Sequence, residues 1–211
     1  RMSHRKLLAL GLLVLIAGCD KDKKGVEPPA ELVDLKPTLA VQKLWDTGVG
    51  GGGEKLRLSL GVAYQNSLVY VAARDGKVEA LDPESGRTKW STDTKLELSA
   101  GPGAGPGIVA VGTNDGDIVA LDAANGKKLW AVKVSSEVLA APLVTADRVV
   151  VRTVDGRLRA LDAADGKEQW SGEEPVPRLS LRGTAPPVLS GETVLCGFDS
   201  GKGVAYSLGN G

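Results

Sequence analysis

From residue 39 onward, short apolar runs alternate with clusters of turn-forming residues. Residues 68–73 and Arg148–Arg152 are β-branched or apolar runs bounded by such clusters, and each reads as a strand. The Asp-Gly pair that follows each run is a tight-turn signal, and Lys77–Leu81 supplies the next strand of the first unit. Residues 82–86 then predict a short hairpin loop. Asp82 is placed to cap backbone N–H groups two residues on, Pro83 suits the first turn corner, and Gly86 tolerates positive φ. The strand ending in Trp90 closes that hairpin. An apolar stretch earlier in the unit, residues 139–144 in the third copy, predicts a further strand.

These units repeat. DGKVEALDPESGRTKW starts at Asp75, DGDIVALDAANGKKLW at Asp115 and DGRLRALDAADGKEQW at Asp155, so the offset is 40 residues both times. Seven of the sixteen positions are identical in all three copies. A weaker fourth copy keeps the ten-residue spacing of Gly76 and Gly86 in Gly201 and Gly211. Four short strands in every 40 residues is the pattern of a propeller blade. A single blade cannot cover both of its faces, and stacked blades bury each other, which explains why both sides of these strands are apolar. The expected fold is all-β: a propeller of four-stranded antiparallel blades, about four of them present. Trp90, Trp130 and Trp170 close the three strong copies, and Trp45 sits in a similar context. All four are expected to pack between blades, each indole N–H finding a backbone carbonyl.

The start of the chain has a different pattern. Arg1, Arg5 and Lys6 precede an uninterrupted apolar run of 11 residues, 7–17, about half of what a membrane-spanning helix needs. Residues 1–18 therefore read as a signal peptide. The run ends in LIAGC, which resembles the bacterial lipobox, so Cys19 is the expected lipidation site and the membrane contact. Residues 19–38 are the lipidated cysteine and a charged, proline-bearing tether that could extend at most ~60 Å. Residues 39–211 form the propeller part.

Charge and chemistry narrow the reading further. Removing Arg1, Arg5 and Lys6 from 26 basic residues leaves 23 against 26 acidic ones, which gives no reason to expect a nucleic acid as partner. The one histidine, His4, lies in the signal segment, so histidine-based acid–base catalysis and histidine metal sites are excluded from residues 19–211. With Cys19 acylated, Cys196 is the single thiol left, and its apolar context predicts a buried structural cysteine. Asp75, Asp115 and Asp155 form a series that invites a metal reading, but each precedes a glycine at a hairpin and is assigned to turn chemistry.

The ALD-x-x-x-G-x-x-x-W pattern resembles the tryptophan-docking motif of the quinoprotein-type propellers. Together with the lipobox, the LWDTGVGGG stretch near residue 50 and VPRLSLRGTAPPV at 176–188, it is similar to the BamB family, lipoproteins of the β-barrel assembly machinery. The resemblance implies a part of an eight-bladed ring with no enzymatic activity and no cofactor. It also implies attachment to the periplasmic face of the outer membrane and binding to the central barrel-inserting subunit. Asp20, directly after the lipidated cysteine, resembles a signal for retention at the inner membrane instead. Arg1 ahead of Met2 suggests a translated fragment. The rival readings are a pyrroloquinoline-quinone dehydrogenase, whose relatives often carry adjacent cysteines and a central calcium site, and a periplasmic sensor or ligand-binding propeller.

Two places depart from the repeat. From Gly156 to Gly201 the interval is 45 rather than 40, and the surplus falls within 173–183, where Pro175 and Pro177 predict an exposed loop. That loop carries Leu179, Leu181 and Arg182, in the segment that the resemblance assigns to the barrel-assembly partner. The other departure is Trp45, which has no preceding strands of its own, while the fourth copy lacks its last strand. Either Trp45 fills that place and closes a four-bladed ring, or the chain is an open arc with exposed strand edges. The open arc is the expected arrangement.

Overall fold

The computed structural model describes residues 29–53, 58–180 and 183–211. Residues 29–42 belong to a unit of their own and carry no helix or strand. The compact unit is Lys43–Gly211.

Among its described residues that unit holds sixteen strands. A two-residue strand, β1 (Ser59–Leu60), comes first. The first blade is β2 (Val62–Gln65), β3 (Leu68–Ala72), β4 (Lys77–Leu81) and β5 (Thr88–Asp93), paired in that order and antiparallel. The second is β6 (Leu98–Gly105), β7 (Ile108–Thr113), β8 (Asp117–Asp122) and β9 (Lys128–Lys133), with β1 added in parallel along β6. The third is β10 (Leu143–Val144), β11 (Arg148–Arg152), β12 (Arg157–Asp162) and β13 (Glu168–Glu173). The fourth holds three strands, β14 (Val188–Ser190), β15 (Thr193–Gly197) and β16 (Gly203–Ser207). The all-β, blade-by-blade expectation is met, and the fourth sheet lacks the outer strand its repeat lacks.

The turns obey the predicted chemistry. In the first blade Gly86 takes φ +67°, its N–H bonds the Asp82 carbonyl at 2.8 Å, and Asp82 Oδ1 accepts from the Glu84 and Ser85 N–H groups at 3.1 and 3.0 Å. Asp122 repeats this arrangement, and Asp162 repeats it with one side-chain bond, from the Ala164 N–H. At the opposite rim, the Gly76, Gly116 and Gly156 N–H groups bond back to residues 73, 113 and 153. Asp75 spends its carboxylate on backbone groups, accepting from Lys77 N–H at 3.3 Å and Gly51 N–H at 2.8 Å.

One expected strand is shorter than predicted. Of residues 139–144 only Leu143–Val144 pairs, as β10. Pro142 has no N–H to give a ladder, and its carbonyl lies where a Cβ on Gly103 would be, 1.9 Å away. The segment packs backbone to backbone on β6 instead of extending the sheet.

Apolar burial lies between blades. Tyr70, Val78, Ala80 and Trp90 of the first blade meet Val109, Val111, Val119 and Leu121 of the second. Ala110, Ile118, Ala120 and Trp130 meet Val149, Val151, Leu161 and Ala163 in the same way. The third cluster sets Val150, Leu158, Ala160 and Trp170 against Val194, Cys196 and Phe198. Alternation along each strand sends one set of side chains forward and the other back, so every inner blade is buried on both faces.

The end faces are open. Leu195 occupies the place of Tyr70, Ala110 and Val150, which are 1%, 0% and 0% exposed, yet it is 45% exposed. At the other end Val62 and Tyr64 are exposed on the first blade. Among the described residues no strand from 43–53 pairs with β16, which stands as an edge strand of the fourth sheet.

Candidate partner-binding surface

The scaffold of the site is a relay of docked tryptophans. Trp45 Nε1 donates to the Pro83 carbonyl at 2.8 Å, Trp90 to Ala123 at 2.9 Å, Trp130 to Ala163 at 2.8 Å and Trp170 to Leu208 at 2.9 Å. Each acceptor lies in the outer hairpin of the following blade. There the indole covers a glycine: Gly86, Gly126, Gly166 or Gly211, each at positive φ and each with no room for a Cβ. Glycine is required twice over, by the left-handed turn and by the ring pressed against it. Each indole thus reaches the hairpin of the following blade through one hydrogen bond and one glycine contact.

The long connection between the third and fourth blades departs from this regular frame. Strand direction alternates, so the Asp-Gly turns and the connections between blades share one rim, and the Asp82-type hairpins share the other. The long connection belongs to the first rim. It leaves β13 at Glu173, two residues before Pro175, and rejoins the sheet at Val188. Its root is fixed: Glu174 N–H bonds the Gly156 carbonyl at 3.0 Å, Glu174 Oε2 accepts from Lys202 Nζ at 2.9 Å, and Val176 rests against Gly156. Beyond the root it turns outward, and Leu179 is 91% exposed. Leu179 thus does not fold back into the blade. Leu181 and Arg182, the other two residues expected to contact a partner, lie outside the described residues, as does Cys19.

No group of three metal-type side chains comes together among the described residues. Cys196 is buried, and burial pushes its thiol above the ordinary range, against the opposing pull of Arg152. It packs as a small apolar residue in the cluster between the last two blades. Sequence reasoning missed Arg152, which is fully buried among apolar neighbours and paired with Asp199 at 3.1 Å. It also missed Tyr206, whose ring stacks on Trp170 at 5.9 Å.

The repeated sheets, the indole relay and the glycine under each indole define the class: a tryptophan-docked β-propeller. Within that class, the family model described as outer membrane protein assembly factor BamB matches residues 40–96 and 74–211, and the chain belongs to that family. It is 44% identical over 90 residues to the outer membrane protein assembly factor BamB of Pseudomonas aeruginosa, covering 43% of this chain and 23% of that protein. To the protein of that name from Vibrio cholerae it is 37% identical over 93 residues, 44% of this chain and 24% of the relative. The crystal structure of BamB from Moraxella catarrhalis superposes with a TM-score of 0.67 at 32% identity, over 74% of this chain and 48% of that one. The match thus spans about half of the solved relative.

Proposed function

We propose that the chain is a non-enzymatic scaffold lipoprotein of the outer-membrane β-barrel assembly machinery, holding no cofactor and binding no nucleic acid. It is anchored through Cys19 at the periplasmic face of the outer membrane. It contacts the central barrel-inserting subunit through Leu179, Leu181 and Arg182. The relatives that share its propeller are named assembly factors. The observation that carries the reading to a particular surface is Leu179, a large apolar side chain held almost fully in solvent on a segment rooted at Glu174 and Val176. Such a side chain gains most by burial against a partner. An arginine beside it would bring a planar fork for carboxylates or carbonyls.

The test is co-purification of the barrel-inserting subunit with the full chain. Leu179→Ala, Leu181→Ala and Arg182→Ala should each weaken binding by about 1–4 kcal/mol, the range of interface anchors, with little change in stability for Arg182→Ala. A triple variant that retains its partner removes the segment from the binding surface.

A further inference from the structure

The joint between the third and fourth blades is built from different residues than the two joints before it. The repeat offset aligns Ala72, Gly112 and Arg152 at the end of the second strand of successive blades. In the second blade, the space beside Gly112 is filled by Val138, whose Cγ1 would lie 2.7 Å from an added Cβ. Val138 comes from the connection that follows the second blade and Leu98, one repeat earlier, opens β6; both are completely buried. Forty residues after Val138 stands Arg178, which is exposed in the long connection. A charged, exposed residue thus stands at the series position that Leu98 and Val138 fill with buried apolar side chains.

Arg152 takes over the space. Its side chain is 2% exposed, Nη2 donates to Asp199 Oδ2 at 3.1 Å, and the guanidinium carbon lies 4.9 Å from the centre of the Phe198 ring. Both partners belong to the fourth blade. A guanidinium held by a directed hydrogen bond and an aromatic face fixes orientation as well as distance. On the same joint Gly172 leaves room for Tyr206, since a Cβ there would sit 2.4 Å from Cε1 of that ring. The long connection starts on the third blade at Glu173 and ends on the fourth at Val188. A loop with one foot on each of two rigid bodies takes its shape from their relative placement.

We propose that Arg152 is a positioning residue for partner binding: by tying the third blade to the fourth, it sets the span across which the long connection is held and so the presentation of Leu179. This rests on the reading of that connection as the partner-contacting segment. Methionine at residue 152 fills a similar volume without direction or charge, and the Asp199 carboxylate it leaves unpaired is 21% exposed, so water can solvate it.

The experiment measures partner affinity and thermal melting of the full chain for Arg152→Met beside the Leu179→Ala, Leu181→Ala, Arg182→Ala triple variant. Arg152→Met should melt within a few degrees of the unsubstituted protein yet bind the barrel-inserting subunit about tenfold more weakly, the scale of one misplaced interface anchor. Unchanged affinity in Arg152→Met, with binding lost in the triple variant, overturns the role of Arg152 alone. Unchanged affinity in the triple variant overturns the reading of the segment itself. If Arg152→Met melts early, Arg152→Lys carries the same test, because it keeps the charge and loses the planar stack. Weakened binding at unchanged melting supports the proposal, and full binding overturns it.

Discussion

Replacing Gly126 by alanine adds one methyl group, and the structure makes that methyl costly in two separable ways. Gly126 has φ +74°, where an L side chain costs roughly 1–2 kcal/mol. Its Cβ would also lie 2.5 Å from Trp90 Cε3 and 2.5 Å from Thr92 Oγ1, so the docked indole must withdraw. Overpacking of that kind adds roughly 1–3 kcal/mol, for a combined loss of about 2–5 kcal/mol. Gly191 supplies the control: it has φ +60° and nothing within 4 Å of its Cβ, so Gly191→Ala bears the conformational part alone. Urea unfolding followed by tryptophan fluorescence reads both, because the indole itself is the displaced group. Gly126→Ala should be less stable than Gly191→Ala by about 1–3 kcal/mol, the overpacking part. Equal losses in the two variants would refute the claim that the indole-on-glycine contact holds the blades together.

The Asp82 carboxyl is held at about 2, well below the ordinary 3.8, first by Lys89, which donates to it at 3.0 Å, and then by the Ser85 hydroxyl and N–H. A depressed carboxyl pKa stabilises the hairpin above the unfolded value of 3.8 and ceases to do so as pH falls through about 2. A carboxyl carbon NMR titration of Asp82 should show that low midpoint, and one near 3.8 would contradict the hairpin geometry. For the anchor, Cys19→Ser should move the protein from the membrane fraction to the soluble fraction, and a variant that stays fully membrane-bound would rule out acylation there.

Much of the fold was legible because each blade is specified locally. Asp82, Gly86 and Trp90 each combine a turn requirement with a packing one, and the 40-residue period repeats the instruction. Residues 139–144 were overread as strand because apolarity alone does not report a missing N–H at Pro142 or a neighbouring backbone as close as Gly103. Leu179 could be anticipated from an interval of 45 flanked by prolines. Arg152 could not, since a charged residue closing an apolar run reads as a strand end reaching solvent. Its burial depends on Asp199 and Phe198, 46 or more positions away.

The most direct measurement places a photo-crosslinking amino acid at position 179 and, in a separate sample, at position 84 on the hairpin rim. Both positions are exposed, and the strand topology sets them on opposite rims of the arc. In cells carrying the full assembly machinery, irradiation should join position 179 to the central barrel-inserting subunit and leave position 84 without that product. A crosslink from position 84 and none from position 179 would contradict the assignment of the long connection as the partner-binding surface.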